Sequence, residues 1–201
     1  MKKILFAVLL AMSAACFAQS VQQLEKDCSL KDADACVMLG LKYDAGKDVA
    51  KDKIKAANLY QKACDGSSAL GCANLGSMYY DGEGVQQDKF KAVQLNQKAC
   101  DVSSELGCIN LGFMYEKGEG VRQDKFKAVE LYQKACDVNS ALGCSNLGVM
   151  YENGDGVRQD KSKALNLYWK ACDLKHQRGC ENYANLKNNG VKQQTQKLAF
   201  L

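Results

Sequence analysis

Residues 64–99 read CDGSSALGCANLGSMYYDGEGVQQDKFKAVQLNQKA, residues 100–135 read CDVSSELGCINLGFMYEKGEGVRQDKFKAVELYQKA, and residues 136–171 read CDVNSALGCSNLGVMYENGDGVRQDKSKALNLYWKA. One 36-residue unit is written three times. Residues 28–63 are a looser copy, with Lys47-Asp48 where the others carry an acidic residue and then Gly. A fifth copy starts at Cys172 and loses the pattern after Gly190. Self-similarity at this period marks a stacked repeat array.

Each unit reads as two helices. In 64–99 the first runs from about Ala69 to Asp81, with Leu75 and Tyr79 one turn apart on one face. Gly71 and Gly76 would each weaken an isolated helix by about 1 kcal/mol relative to Ala. Their recurrence at Gly107/Gly112 and Gly143/Gly148 predicts close helix approach. Gly82 suits a left-handed helix end and Gly84 a tight turn. Asp88, repeated at Asp52, Asp124 and Asp160, is predicted to cap the second helix, which runs to about Cys100 with Ala92, Leu95 and Ala99 on its buried side. Asn96 replaces the tyrosine of Tyr60, Tyr132 and Tyr168, which loosens one packing position. One hairpin cannot hide its apolar face, but stacked hairpins can. The fold class expected is all-α: an α/α superhelical solenoid.

The expected organisation is a signal peptide over 1–18, an array over 19–190 and a C-terminal tail over 191–201. The array holds a leading half unit, full units 28–63, 64–99, 100–135 and 136–171, and a trailing half unit 172–190. Lys2 and Lys3 precede an apolar run from Ile4 to Ala15, too short to span a bilayer but suited to a secretory signal cleaved after Ala18. Acylation of Cys16 is the second choice, because Ser13 stands where a lipoprotein signal carries Leu. The chain would be secreted, to the periplasm or beyond, and monomeric.

The chain has 201 residues, eleven Cys, one His, no Pro and a formal charge of +4. That charge, without a Lys/Arg block, argues against nucleic acid as a partner, and no later stretch is apolar enough for a membrane span. Ten cysteines remain after cleavage, an even number that fits an oxidising compartment. They recur at offsets of eight and 36. A Cys near the end of one second helix and another eight residues on face each other across a short turn, which suits a disulfide. The pairs expected are Cys28–Cys36, Cys64–Cys72, Cys100–Cys108, Cys136–Cys144 and Cys172–Cys180. Zinc is the rival, but its ligands usually stand two to four residues apart, so no metal and no cofactor are expected.

The string LGxMYxxGxGVxxDxxKAxxLYxKAC resembles the Sel1-like repeat, a relative of the tetratricopeptide repeat. It is carried by Leu75-Gly76, Tyr79, Gly82-Glu83-Gly84-Val85, Asp88, Lys91-Ala92 and Lys98-Ala99-Cys100 and their equivalents. The Cys pair in every unit is similar to the Helicobacter cysteine-rich protein family. That resemblance implies an α/α superhelix with one disulfide per unit, penicillin binding and weak β-lactamase activity. The sequence contains no Ser-x-x-Lys and no Lys-Thr-Gly, and His176 stands alone, so the hydrolase expectation rests on the resemblance. His176 falls where other copies have Ser68, Ser104 and Ser140 and reads as a solvated helix-start residue.

Comparison between copies separates frame from surface. Cys, Leu, Gly and Tyr stay fixed. Ala73, Ile109 and Ser145 vary at one position, Ser77, Phe113 and Val149 at the next turn, and Asp81, Lys117 and Asn153 at the one after. Asn74, Asn110, Asn146 and Asn182 recur beside this stripe and form the candidate binding groove, since each amide can donate to and accept from an extended peptide. The alternative is that each Asn ties down a neighbouring turn. Gly-x-Gly-Val reads as a plain turn, Met78, Met114 and Met150 as core, and the Lys89/Lys91 and Lys125/Lys127 pairs as a solvated face. Three functions remain open: a β-lactam-binding protein with slow hydrolysis, a scaffold for an extended or peptidoglycan-like peptide or a protein, and a structural envelope or host-surface adaptor.

Overall fold

The structure, a computed structural model, describes residues 20–192. The expected signal segment and its cleavage point, and the tail beyond residue 192, lie outside the described residues. Ten helices occur among the described residues: α1 Val21–Ser29, α2 Ala33–Ala45, α3 Lys53–Asp65, α4 Ala69–Asp81, α5 Lys89–Asp101, α6 Glu105–Lys117, α7 Lys125–Asp137, α8 Ala141–Asn153, α9 Lys161–Asp173 and α10 Gln177–Asn188.

Local chemistry sets these boundaries. Ser68, Ser104 and Ser140 cap α4, α6 and α8, each hydroxyl accepting from the glycine N–H three residues on at 3.0–3.3 Å. Asp52, Asp88, Asp124 and Asp160 cap the second helices in the same way at 2.9–3.0 Å. His176 caps α10 through Nδ1, 3.2 Å from the Gly179 N–H, so it stands in for the serine of the other copies. Gly82, Gly118 and Gly154 close the first helices at φ 73–78°. The first copy keeps the same turn despite its altered sequence: Asp48 takes φ 65° where the others use glycine, and Lys42 pairs with it at 2.5 Å.

Each first helix packs on the second helix of its own unit and on its counterparts in neighbouring units. Among the described residues the backbones of successive second helices stay apart and are bridged by long side chains: Lys98 and Lys170 donate to the Cys64 and Cys136 carbonyls of the preceding unit at 2.9 and 2.8 Å. The first helices are therefore closer together, and the array curves with them on the inside. Leu75, Leu111 and Leu147, the methionines Met78, Met114 and Met150, and Ala92, Ala128 and Ala164 fill the core. A Cβ on Gly107 or Gly143 would meet the Ala99 or Ala135 methyl at 2.5–2.6 Å, which explains glycine inside these helices.

The five disulfides join the pairs read from the sequence, with Cα atoms 4.4–4.7 Å apart. Each ties a second helix to the first helix of the next unit. They fit an oxidising, extracytoplasmic environment. No described helix is long and apolar enough to cross a membrane. Val191, at the start of the tail, packs against the last core cluster beside Leu165 and Leu186.

The lysine pairs are not merely solvated. Lys53, Lys89 and Lys125 reach Glu83, Glu119 and Asp155 of the next unit at 2.5 Å. Lys55, Lys91, Lys127 and Lys163 lie over the rings of Tyr43, Tyr79, Tyr115 and Tyr151, 4.1–4.3 Å from their centroids. The 36-residue periodicity delivers each cation to an aromatic face that sequence spacing alone does not reveal.

Candidate functional site

The inner helices α4, α6 and α8 enclose a pocket of about 330 Å³. Its apolar surface comes from Ile109, Phe113, Met114 and Leu142. Phe113 and Leu142 are 37% and 41% exposed, so they form a rim that solutes can reach. Tyr80 stands beside them, its ring edge-on to Phe113 with centroids 6.1 Å apart. Asp81 lies at the exposed edge.

The polar part is built from amides. Asn96 is 1% exposed and donates from Nδ2 to the Ala92 carbonyl at 2.9 Å. Asn110 donates to Ser77 Oγ at 3.1 Å and to Asn96 Oδ1 at 3.2 Å. Asn146 lines the same space and makes no side-chain hydrogen bond among the described residues. Its equivalents of Ser77 and Asn96 are Phe113 and Tyr132, which offer no amide or alkyl-hydroxyl partner at those places.

Of the four candidate asparagines, the structure brings Asn110 and Asn146 together in this pocket. Asn74 and Asn182 are half-buried elsewhere on α4 and α10, and Asn74 Nδ2 is buried without a partner among the described residues. Of the variable stripe, Ser77, Asp81, Ile109 and Phe113 line the pocket.

Two residues of the pocket escaped the sequence reading. In three units a tyrosine on the second helix faces an acid on the first: Tyr132 donates to Glu116 Oε2 at 2.9 Å, Tyr168 donates to Glu152 Oε2 at 2.6 Å, and Tyr60 lies by Asp44. Burial pushes all three phenols well above their ordinary range, with the neighbouring carboxylates adding to the effect. In the remaining unit both members change: the acid is Tyr80 and the tyrosine is Asn96. Writing out residues 44, 80, 116 and 152 from the repeat would have revealed the first substitution. Leu142 carried no such signal, because leucine also stands at 70 and 106.

Tyr80 is held from the other side. Its hydroxyl donates to Glu119 Oε2 at 2.6 Å, and Lys89 pairs with the same carboxylate at 2.5 Å. The hydrogen bond to Glu119, then burial, pushes the Tyr80 phenol up to about 12. Lys89 and Tyr80 together hold the Glu119 carboxyl below its usual value. The aromatic wall is thus fixed by a clamp reaching into the next unit.

Ser77 is the hydroxyl nearest to a nucleophile in this pocket. It donates to the Ala73 carbonyl at 3.2 Å and accepts from Asn110, with no base against it. The pocket combines an exposed apolar rim with the amides of Asn110 and Asn146.

The Sel1 repeat family model matches residues 33–68, 69–103, 106–140 and 141–176. Among solved structures, a protective antigen of uropathogenic Escherichia coli displaying an SLR fold is 29% identical, with a TM-score of 0.80 over 87% of this chain; the chain spans 37% of that antigen's length. A Sel1 repeat protein from Oxalobacter formigenes is 25% identical, with a TM-score of 0.76 over 82% of this chain and 68% of that one. Helicobacter pylori cysteine rich protein B is 38% identical, with a TM-score of 0.54 over 68% of this chain and 98% of that one. No curated protein matches the sequence.

Proposed function

We propose, because the chain belongs to the Sel1 repeat family, that it is a disulfide-stapled scaffold whose inner groove receives an extended segment of another protein. The observation that carries this reading is the pocket shared by α4, α6 and α8, where the amides of Asn110 and Asn146 lie beside an exposed apolar rim. An extended peptide offers the same two things: main-chain groups in need of partners and side chains in need of cover. The five bridges stiffen the groove, so less conformational freedom is lost on binding. A leader cleaved near Ala18 would deliver the scaffold to an oxidising compartment, where its partners are periplasmic, released or surface-bound peptides.

The test is selection of dodecapeptides from a random displayed library on the oxidised chain. Synthetic copies of the selected peptides are then titrated against the Asn110→Ala/Asn146→Ala variant, whose helicity and disulfides are checked first. A tenfold or greater loss of affinity supports the groove. Equal affinity, or no selected peptide, dismisses it.

The β-lactamase activity implied by the family resemblance gains nothing from Ser77, whose hydroxyl is engaged by Ala73 and Asn110. Turnover of a chromogenic cephalosporin that follows the chain through every purification step would restore that reading.

A further inference from the structure

We propose that the pocket between Tyr80 and Asn96 is an aromatic side-chain socket: it takes one phenylalanine or tyrosine ring of the bound peptide. This rests on the peptide-binding reading and names what that groove selects.

The argument starts from the chain's comparison with itself. Three units fill the space between their two helices with a tyrosine ring. Tyr132 lies on Gly112 and Tyr168 on Gly148, close enough that a Cβ on either glycine would meet the ring at 2.6–2.8 Å. Each hydroxyl ends on the carboxylate of Glu116 or Glu152. In the second unit the shorter Asn96 lies on Gly76 instead, its amide 2.7 Å from where a Cβ would be. The far end of the missing ring would run toward residue 80. That residue is a tyrosine tied outward to Glu119, so it does not fold back to refill the space. The pocket opens here, with both Asn96 and Tyr80 in its lining.

Asn96 itself is covered by Asn110 and Met114, so the opening lies above it, along Tyr80, Phe113 and Leu142, and a space bounded by these aromatic and apolar side chains fits an aromatic ring from outside. A roughly 150 Å³ apolar cavity already holds a benzene ring. The about 330 Å³ here leaves room for the ring and the adjoining main chain. Tyr80 and Phe113 are already edge-on to each other and present aromatic walls to a guest. Met114 supplies a polarizable thioether, its Sδ 3.9 Å from Asn96 Nδ2. The amide of Asn146, without a partner among the described residues, is placed for the guest's main chain.

The experiment uses the dodecapeptides selected on the oxidised full chain. Each is resynthesised with its aromatic residues replaced singly by alanine, and affinity is read by fluorescence anisotropy. The chain is tested as wild type, as Asn96→Tyr, and as Tyr80→Glu/Asn96→Tyr, which writes the tyrosine–acid pair of the sister units into the second one. Phe113→Ala is a further variant, at an exposed position where folding is not at stake.

The expected result is a common aromatic position whose replacement costs tenfold or more, with a similar loss in the double variant and in Phe113→Ala. Peptides that bind and lose affinity in Asn110→Ala/Asn146→Ala, yet have no common aromatic position and bind the double variant as wild type, overturn the socket and leave the scaffold reading intact. Failure to select any peptide removes both. Should Asn96→Tyr alone fold poorly, the double variant and Phe113→Ala still decide the matter.

Discussion

Removing the central bridge, by replacing Cys100 and Cys108 with alanine, tests the stapled array most directly. The two residues stand eight apart and join α5 to α6 at the middle of the array. Both are buried, so alanine is preferred to serine, which would bury an unpaired hydroxyl. Closing a loop of about nine residues in the unfolded chain is worth about 2.6 kcal/mol in the loop-entropy account. For a chain of this length that corresponds to a fall in Tm of about 5–10 °C. Stability in an array is a sum of unit and nearest-neighbour contributions, so the loss falls on one junction. The equivalent change at Cys172 and Cys180 loosens only the last helix and lowers the main transition less. The assay is thermal unfolding by far-UV circular dichroism without reductant. Intact mass serves as the control: reduction of the wild type adds about ten hydrogens, and of the variant about eight. A central variant that melts within about 2 °C of wild type, or a native protein with free thiols among these ten cysteines, refutes the reasoning.

Two further outcomes follow from the turns and the buried phenols. Gly120→Ala destabilises more than Gly118→Ala: both sit at positive φ, costing roughly 1–2 kcal/mol for alanine, but a Cβ on Gly120 also runs into the Lys89 carbonyl of the preceding unit; guanidinium unfolding midpoints compare them, and equal losses would remove the backbone contact from the account. The phenols' contribution to stability is constant below about pH 10, where they are protonated in both states, and is lost above it, because the unfolded chain ionises first while Tyr60, Tyr132 and Tyr168 are held neutral by burial and Tyr80 up to about 12. Melting temperatures from pH 8 to 12 show the decline, Tyr168→Phe makes it shallower, and a flat profile contradicts it.

Much of the fold was legible because its signals are short-range and repeated. Asp88 and its equivalents cap helices through an N–H three residues away, and each disulfide spans eight residues. The same reasoning failed where partners come from another unit. Lys89 read as a solvated charge, yet its carboxylate is Glu119, 30 residues on. Asp48 stands where the other copies have glycine, yet it takes the same left-handed conformation, paired with Lys42. Asn96 was visible as a substitution, but not as an opening.

The sequence by itself determined the period, the two helices of each unit, their caps and the cysteine pairing, since each depends on residues within a turn or two of one another. Only the tertiary structure decided that a pocket adjoins Asn96, where the other units carry a tyrosine. Whether a missing ring is refilled depends on where its neighbours are anchored, and Tyr80 is pulled away by Glu119 of the next unit, whose carboxylate Lys89 also holds. That balance is set by packing between helices far apart in the chain, which no local pattern encodes.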